Sequence, residues 1–373
     1  MISKLVPPHI AAIEPYPPGK PIEELERELG IVGSIKLASN ENPLGPSPKA
    51  LQAIEEKLET LHRYPDGSGY YLRNRIAEKF GVPMDGVVLG NGSNEIIELV
   101  IRTFVQPGLE VIVPNPSFLV YQLSVQCVGG SLVFVPLRDL MIDLEGILKA
   151  ITEKTRLIFI NNPNNPTGTV LPRKNFEAFL EQVPKDVLVV VDEAYIEFAD
   201  PNGTFLGFDY LDRRGPWVVV TRTFSKAYGL AGLRVGYGVM DPAVADYLHR
   251  VRQPFNVSTP AQAAALAALD DEAFLEKSRT LVREQLPWLY QQVQEMGLDF
   301  QPTQANFFLI RMPVEAKVVY QAMLQEGVIV RAMNSYGLPR HIRINVGTPQ
   351  ENERFIRTLR KVLKDLGLQQ GSA

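Results

Sequence analysis

Apolar runs of strand length recur along the chain: Val87–Leu89, Glu110–Val113, Leu132–Val135, Leu157–Ile160, Val187–Val191, Trp217–Val220 and Val235–Val239. They are continuous rather than alternating, as strands covered on both faces are, and helical stretches separate several of them. The pattern predicts an α/β fold built on a mostly parallel sheet of about seven strands with helical crossovers.

Helix signals frame that sheet. Ser47-Pro48 supplies an N-cap and an N1 proline before Leu51, Ile54, Leu58 and Leu61, which are spaced for one helix face. Ala261–Leu269 is alanine-rich and reads as helix throughout. Thr348-Pro349-Gln350-Glu351 reads as a capping box ahead of the stripe Phe355, Ile356, Leu359, Val362, Leu363 and Leu366. No fixed-period repeat or low-complexity linker interrupts the pattern, so closely packed domains are expected.

With 373 residues, 45% of them hydrophobic and 21% charged, the chain is neither disordered nor fibrous. Its 38 Lys and Arg against 42 Asp and Glu give a net charge of −4, which disfavours nucleic acid and anionic membrane as partners. Any bound anion must be held by a local cluster of arginines and amides. Cys127 is the only cysteine, which excludes an intrachain disulfide and a cysteine-based metal cluster and fits a reducing compartment. Pro7, Pro8, Pro15, Pro17 and Pro18 break up the first residues, which lack the apolar core of a secretion signal. No apolar run approaches the roughly 20 residues needed to cross a bilayer. The expected location is cytoplasmic. His9, His62, His249 and His341 are scattered without paired carboxylates, so no metal is expected.

In a parallel sheet, ligand groups gather beyond the carboxyl ends of the strands. Leu157–Ile160 is followed by Asn161-Asn162-Pro163-Asn164-Asn165-Pro166-Thr167-Gly168, Val187–Val191 by Asp192-Glu193-Ala194-Tyr195, and Trp217–Val220 by Thr221-Arg222-Thr223-Phe224-Ser225-Lys226. A lysine and an acid presented from neighbouring strands suit a pyridoxal cofactor, where lysine forms the imine and the acid keeps the pyridine nitrogen protonated. Gly90-Asn91-Gly92-Ser93-Asn94-Glu95, between a strand and a helix beginning near Asn94, offers amides for the cofactor phosphate. Rival nucleotide readings fail, since Gly90-x-Gly92 lacks the third glycine of a dinucleotide fingerprint and no Gly-Lys-Ser/Thr completes a P-loop.

Asn165-Pro166-Thr167-Gly168, Asp192-Glu193-Ala194-Tyr195 and Ser225-Lys226-Ala227-Tyr228-Gly229-Leu230-Ala231-Gly232-Leu233-Arg234 together resemble, in identity and order, the patterns of fold-type I aminotransferases dependent on pyridoxal 5′-phosphate (PLP), specifically the histidinol-phosphate aminotransferase family. The resemblance covers nearly the whole chain. It implies a large PLP-binding domain over 45–271, a small α/β domain over 272–373, and an N-terminal segment, 1–44, joining the small domain. It implies that Lys226 forms the imine, Asp192 pairs with the pyridinium nitrogen, and Tyr195 and Asn165 meet the phenolic oxygen. Phe118 is then the stacking residue, and Ser93, Asn94, Thr223, Ser225 and Arg234 surround the phosphate. Tyr64, in Arg63-Tyr64-Pro65, resembles the tyrosine that reaches the phosphate from the other subunit of a homodimer.

On the substrate side the resemblance assigns Arg343, Arg331, Tyr16 and Asn165. Two guanidiniums suit a phosphate ester. Ala332-Met333-Asn334-Ser335 follows Arg331 where the family pattern has proline and often a glycine-rich turn. The implied reaction is reversible amino transfer between L-histidinol phosphate and a 2-oxo acid such as 2-oxoglutarate, in histidine biosynthesis. An aromatic amino-acid aminotransferase, an O-phosphothreonine decarboxylase and a PLP-binding regulator stand as alternatives.

Overall fold

The computed structural model describes residues 2–16, 18–212 and 215–368; Pro17, among the early prolines named above, lies outside them. In chain order the strands are β1 (Ile35–Lys36), β2 (Val87–Gly90), β3 (Glu110–Asn115), β4 (Ser131–Pro136), β5 (Thr155–Asn161), β6 (Leu188–Asp192), β7 (Trp217–Thr223), β8 (Gly236–Met240), β9 (Phe300–Gln301), β10 (Phe307–Arg311), β11 (Val328–Ile329), β12 (Arg331–Ala332) and β13 (His341–Asn345).

All seven apolar runs become strands of one sheet, ordered β2-β8-β7-β6-β5-β3-β4. The pairs β3–β4, β3–β5, β5–β6 and β6–β7 are parallel, and only β8 runs antiparallel to its neighbours β7 and β2. Successive residues of each strand feed different cores. Val111, Leu157, Phe159, Val190 and Val219 pack with the helices Ser93–Phe104 and Pro242–Val251 on one face. Ile112, Ile158, Ile160, Val189, Val191 and Val220 pack with the helix Arg173–Leu180 on the other. Both side-chain sets are therefore apolar, which is why the runs do not alternate.

A second, antiparallel sheet has the order β12-β13-β10-β9. Phe308, Ile310, Ile342 and Ile344 on one of its faces join a core with Leu289 and Val293 of the helix Glu272–Glu295, Val319 and Met323 of Ala316–Gln325, and Phe355, Leu359 and Val362 of Pro349–Asp365. The capping box is present, with Thr348 and Glu351 each satisfying the other's backbone N–H. β1 pairs in parallel with β11, and Leu25 and Ala38 bury against Leu324 and Ile329, so the N-terminal segment packs on C-terminal elements.

The helix after Ser47 departs from its sequence pattern. Ser47 caps the amides of Lys49 and Ala50 and Pro48 sits at the start, yet the helix ends at Glu55 and Leu58–Thr60 forms a 3-10 turn. Leu51, Leu58 and Leu61 are exposed. Of the expected stripe only Ile54 packs inward, beside the buried Ala50, in a core with Ala261, Ala264, Ala265 and Ala268 of the helix Thr259–Leu269. Small residues on both helices favour this side because the backbones can approach closely. Among the described residues no helix is long and apolar enough to cross a membrane.

Candidate active site

The ends of β5, β6 and β7 open into a cavity of about 260 Å³ that also receives residues from the N-terminal segment and the second sheet. Tyr16, Ser93, Asn94, Phe118, Asn165, Asp192, Tyr195, Thr223, Ser225, Lys226, Arg234, Arg331 and Arg343 all line it. Of the site residues expected from sequence, only Tyr64 lies elsewhere: it is 82% exposed and stacks on Phe255 with ring centroids 4.8 Å apart.

Asp192 ends β6 and is almost fully buried. Parallel register sets it beside Thr221, whose hydroxyl donates to it at 3.1 Å; Tyr121 donates at 2.6 Å and the Ala194 amide at 3.2 Å. Burial pushes its carboxyl above the usual range, while the bonds from Tyr121, Thr221 and Ala194 pull the other way. A cation placed opposite would hold it ionised. Asp192 is thus a fixed, buried carboxyl at the strand end.

Lys226 follows β7, and its Nζ donates to the Ser39 carbonyl at 3.0 Å and lies 5.6 Å from the centre of the Tyr195 ring. Burial, reinforced by Arg343 and opposed by Glu41, lowers its amine to about 7. A large fraction is thus the neutral, nucleophilic base near neutral pH, which an exposed lysine is not.

Tyr195 is held by two amides: Asn40 donates to its oxygen at 3.0 Å and Asn165 at 3.4 Å. Burial raises its phenol well above the ordinary value, so it remains a donor. Asn165 is fixed in turn by the Asn161 side chain, which accepts from its backbone N–H at 2.7 Å, and its side-chain oxygen accepts from Arg343. The Asn-rich run after β5 is therefore both a turn and a set of donors.

An anion cradle lies at the other end of the cavity. Gly92 begins the helix Ser93–Phe104 at φ 79° with no side chain capping the helix. A Cβ at Gly92 would come within 2.5 Å of Arg234 Nη2, and one at Gly236 within 2.5 Å of the Ser93 nitrogen, so glycine keeps this space open. Arg234 adopts the left-handed region at φ 53°, a cost that marks a position fixed by its surroundings. Its Nη1 donates to Ser225 Oγ at 3.4 Å, and Thr223 donates to the same oxygen at 3.0 Å. Helix-start amides, hydroxyls and a guanidinium form a donor set for a phosphate.

Arg331 and Arg343 are direct cross-strand partners in the β12–β13 ladder. Opposite residues of an antiparallel pair project from the same face, where like charges repel. Arg343 is 6% exposed, donates to Asn165 and, at 3.0 Å, to the Ala38 carbonyl, and keeps a buried Nε with no partner. The guanidinium of Arg331 lies 5.7 Å from the centre of the Tyr16 ring. Two cations on one face of a cavity call for an anion there.

Sequence reasoning missed Asn40, Tyr121, Tyr336 and Glu41. Asn40, Tyr336 and Glu41 line the cavity, and Tyr121 supports Asp192 from behind. Asn40 carried a signal in Ser39-Asn40-Glu41-Asn42-Pro43, a turn-rich cluster after a short strand; it sits at φ 55°. Tyr121 carried none, since a tyrosine at the start of the apolar helix Val120–Cys127 reads as core. Among the described residues no group of three or more His, Cys, Asp or Glu is placed to hold a metal.

Comparison with known proteins agrees with this geometry. The pattern of the family "Aminotransferase class I and II" matches residues 32–359, and the chain belongs to that family. More particularly, it is 50% identical to the histidinol-phosphate aminotransferase of Desulfotalea psychrophila over 97% of this chain and 96% of that protein. It is also 50% identical to histidinol-phosphate aminotransferase 2 of Pseudomonas fluorescens strain Pf-5, over 96% of this chain and 97% of that protein. The crystal structure of the Sinorhizobium meliloti histidinol-phosphate aminotransferase in complex with pyridoxal 5′-phosphate matches with a TM-score of 0.87 at 29% identity, covering 96% of this chain and 97% of that one.

Proposed function

We propose that this protein is a PLP-dependent transaminase that reversibly moves the amino group of L-histidinol phosphate to 2-oxoglutarate, in histidine biosynthesis. The observation that carries the reading is the cross-strand pair Arg331 and Arg343, with Arg343 Nε unpartnered, facing the same cavity as Lys226. A phosphate monoester satisfies two guanidiniums, and the same pair can take a carboxylate of the acceptor in the return half-reaction.

The donor set fits PLP: a cradle kept open by Gly92 and Gly236, a buried carboxylate on the floor, and a lysine with a lowered pKa between them. When bound, PLP supplies an electron-withdrawing ring that stabilises charge developing at the substrate Cα. Ser93, Asn94, Thr223, Ser225 and Arg234 would hold its phosphate, Asp192 its ring nitrogen, Tyr195 and Asn165 its phenolic oxygen, and Phe118 its ring face. Lys226 would hold the aldehyde carbon. Its Nζ would also be the base that takes up and holds the proton of the substrate Cα. Arg331, Arg343 and Tyr16 would orient the substrate so that this proton faces Lys226.

Tyr64 would act from a second copy of the chain. The exposed Leu51, Leu58, Leu61, Tyr70 and Tyr71 on the same stretch support a homodimer, because they are apolar and uncovered in one protomer. The lone Cys127 supports a cytoplasmic location. The division into 1–44, 45–271 and 272–373 is supported by the start of the long helix at Glu272 and by the β1–β11 pairing.

Initial rates with histidinol phosphate and 2-oxoglutarate both varied test the reading. One cavity serving two substrates in turn gives parallel double-reciprocal lines; intersecting lines would count against it.

A further inference from the structure

We infer that Tyr336 is a further substrate-binding residue, its hydroxyl donating to a third oxygen of the phosphate held by Arg331 and Arg343 and so setting the preference for phosphate over carboxylate. The inference rests on the substrate reading above and deepens it.

Tyr336 lines the cavity, is 4% exposed, and lies on the 3-10 turn Asn334–Tyr336 between the two strands that carry the arginines. The turn is fixed at both ends. The Met333 N–H donates to the His341 carbonyl at 2.9 Å, the Tyr336 N–H to the Met333 carbonyl at 3.0 Å, and Gly337 closes the turn at φ 71°. This is the stretch where the sequence departs from its family pattern, yet the Met333, Tyr336 and Gly337 N–H groups are all bonded within it or to β13.

The ring is clamped as well. It packs in a small core with Leu309 and Met333, against which Leu119, Leu140 and Leu338 also pack. Leu140 reaches that core from a turn in which Asp139 and Leu140 have φ of 50° and 62°. Positive φ is costly for leucine, and the turn is held by Thr169 Oγ1 donating to the Leu140 carbonyl at 3.0 Å. The packing fixes the ring, and the residue lines the cavity that the two arginines face.

The groups whose charge acts on that hydroxyl are Arg343, Arg331 and the Tyr16 phenol. Neither guanidinium can accept a hydrogen bond, so the phenol O–H is left to donate to an anion between them. Burial pushes the phenol up to about 12, so the proton is present throughout the working range. Two guanidiniums can saturate the two oxygens of a carboxylate, whereas a phosphate monoester has a third terminal oxygen. A third donor therefore rewards phosphate and gives a carboxylate nothing.

Tyr336→Phe keeps the ring and its packing and removes only the donor. The direct test titrates PLP-loaded wild-type and Y336F protein with inorganic phosphate and, separately, acetate, following the visible absorbance. Loss of one hydrogen bond to a charged acceptor weakens phosphate by about 10-fold or more and leaves acetate within about 2-fold. In the same variant the kcat/KM preference for histidinol phosphate over phenylalanine falls by a similar factor. Equal affinities in both proteins, or equal loss for both anions, would overturn the inference and leave Tyr336 a packing residue. Failure of the wild type to use histidinol phosphate would sink the substrate reading, while the phosphate and acetate titrations still decide the role of Tyr336.

Discussion

Arg343 on β13 donates to the side-chain oxygen of Asn165, a residue 178 positions earlier that follows β5 of the other sheet. The bond joins the expected substrate arginine to the expected cofactor amide, so neither side of the cavity is set independently. Asn165→Ala removes that acceptor from a guanidinium whose Nε is already unpartnered. Leaving a buried charged donor unmet costs about 1–3 kcal/mol or more. The expected result is a thermal midpoint lowered by several degrees, together with a raised KM for both donor and acceptor. A variant altered in stability alone would separate Asn165 from the chemistry.

The lowered pKa of Lys226 has a defined sign. The buried site disfavours the ammonium, so the neutral amine is gained as pH rises through about 7 instead of the ordinary 10.5. In cofactor-free protein, pulse labelling with an acylating reagent and peptide mapping should give Lys226 a midpoint near 7, with exposed lysines still unreactive there. A midpoint near 10 would remove this residue's advantage as a nucleophile.

Behind the strand ends, Glu193 and Arg222 form a buried ion pair at 2.7 Å, with Arg222 over the Phe208 ring at 4.1 Å and the Phe80 ring at 5.0 Å. Each is the chain neighbour of a cavity residue, Asp192 and Thr223 respectively. Arg222→Met strands a buried carboxylate and should cost about 3–5 kcal/mol. Adding Glu193→Gln should recover part of the loss, read by urea unfolding. A loss below about 1 kcal/mol in the single variant would show that the pair is not needed to brace β6 and β7.

The fold was legible because every apolar run but that of the edge strand β4 is largely buried on both faces, and the strand-end residues followed from parallel topology. What escaped the sequence depended on distant contacts. Tyr121 is defined by a bond to Asp192, 71 residues away, and Asn40 by one to Tyr195, 155 away. Neither leaves a local pattern. The Ser47 helix forms with its expected cap but ends early, and of its expected stripe only Ile54 turns inward, because the alanines of Thr259–Leu269 draw Ala50 and Ile54 against them.

The exposed residues Leu58 and Leu61 supply a test of the homodimer. Leu58→Glu with Leu61→Glu places charge where the second copy would bury apolar surface, and sedimentation should show a shift toward monomer. PLP affinity should fall with it, because Tyr64 would no longer reach the phosphate. Tyr64→Phe should lower PLP affinity by about 10-fold, the loss of one hydrogen bond to a charged acceptor, without dissociating the dimer. Unchanged PLP affinity in both variants would place Tyr64 outside the site.

Lys226, Asp192 and the two arginines are proposed to serve amino transfer from a phosphorylated donor. PLP-loaded protein should therefore be mixed, without any acceptor, with histidinol phosphate, phenylalanine, tyrosine or O-phosphothreonine in turn, following the visible absorbance and identifying the products. The expected result is one equivalent of pyridoxamine phosphate and of the matching ketone per site, formed fastest from histidinol phosphate. Faster conversion of an aromatic amino acid, or release of carbon dioxide from O-phosphothreonine, would contradict it.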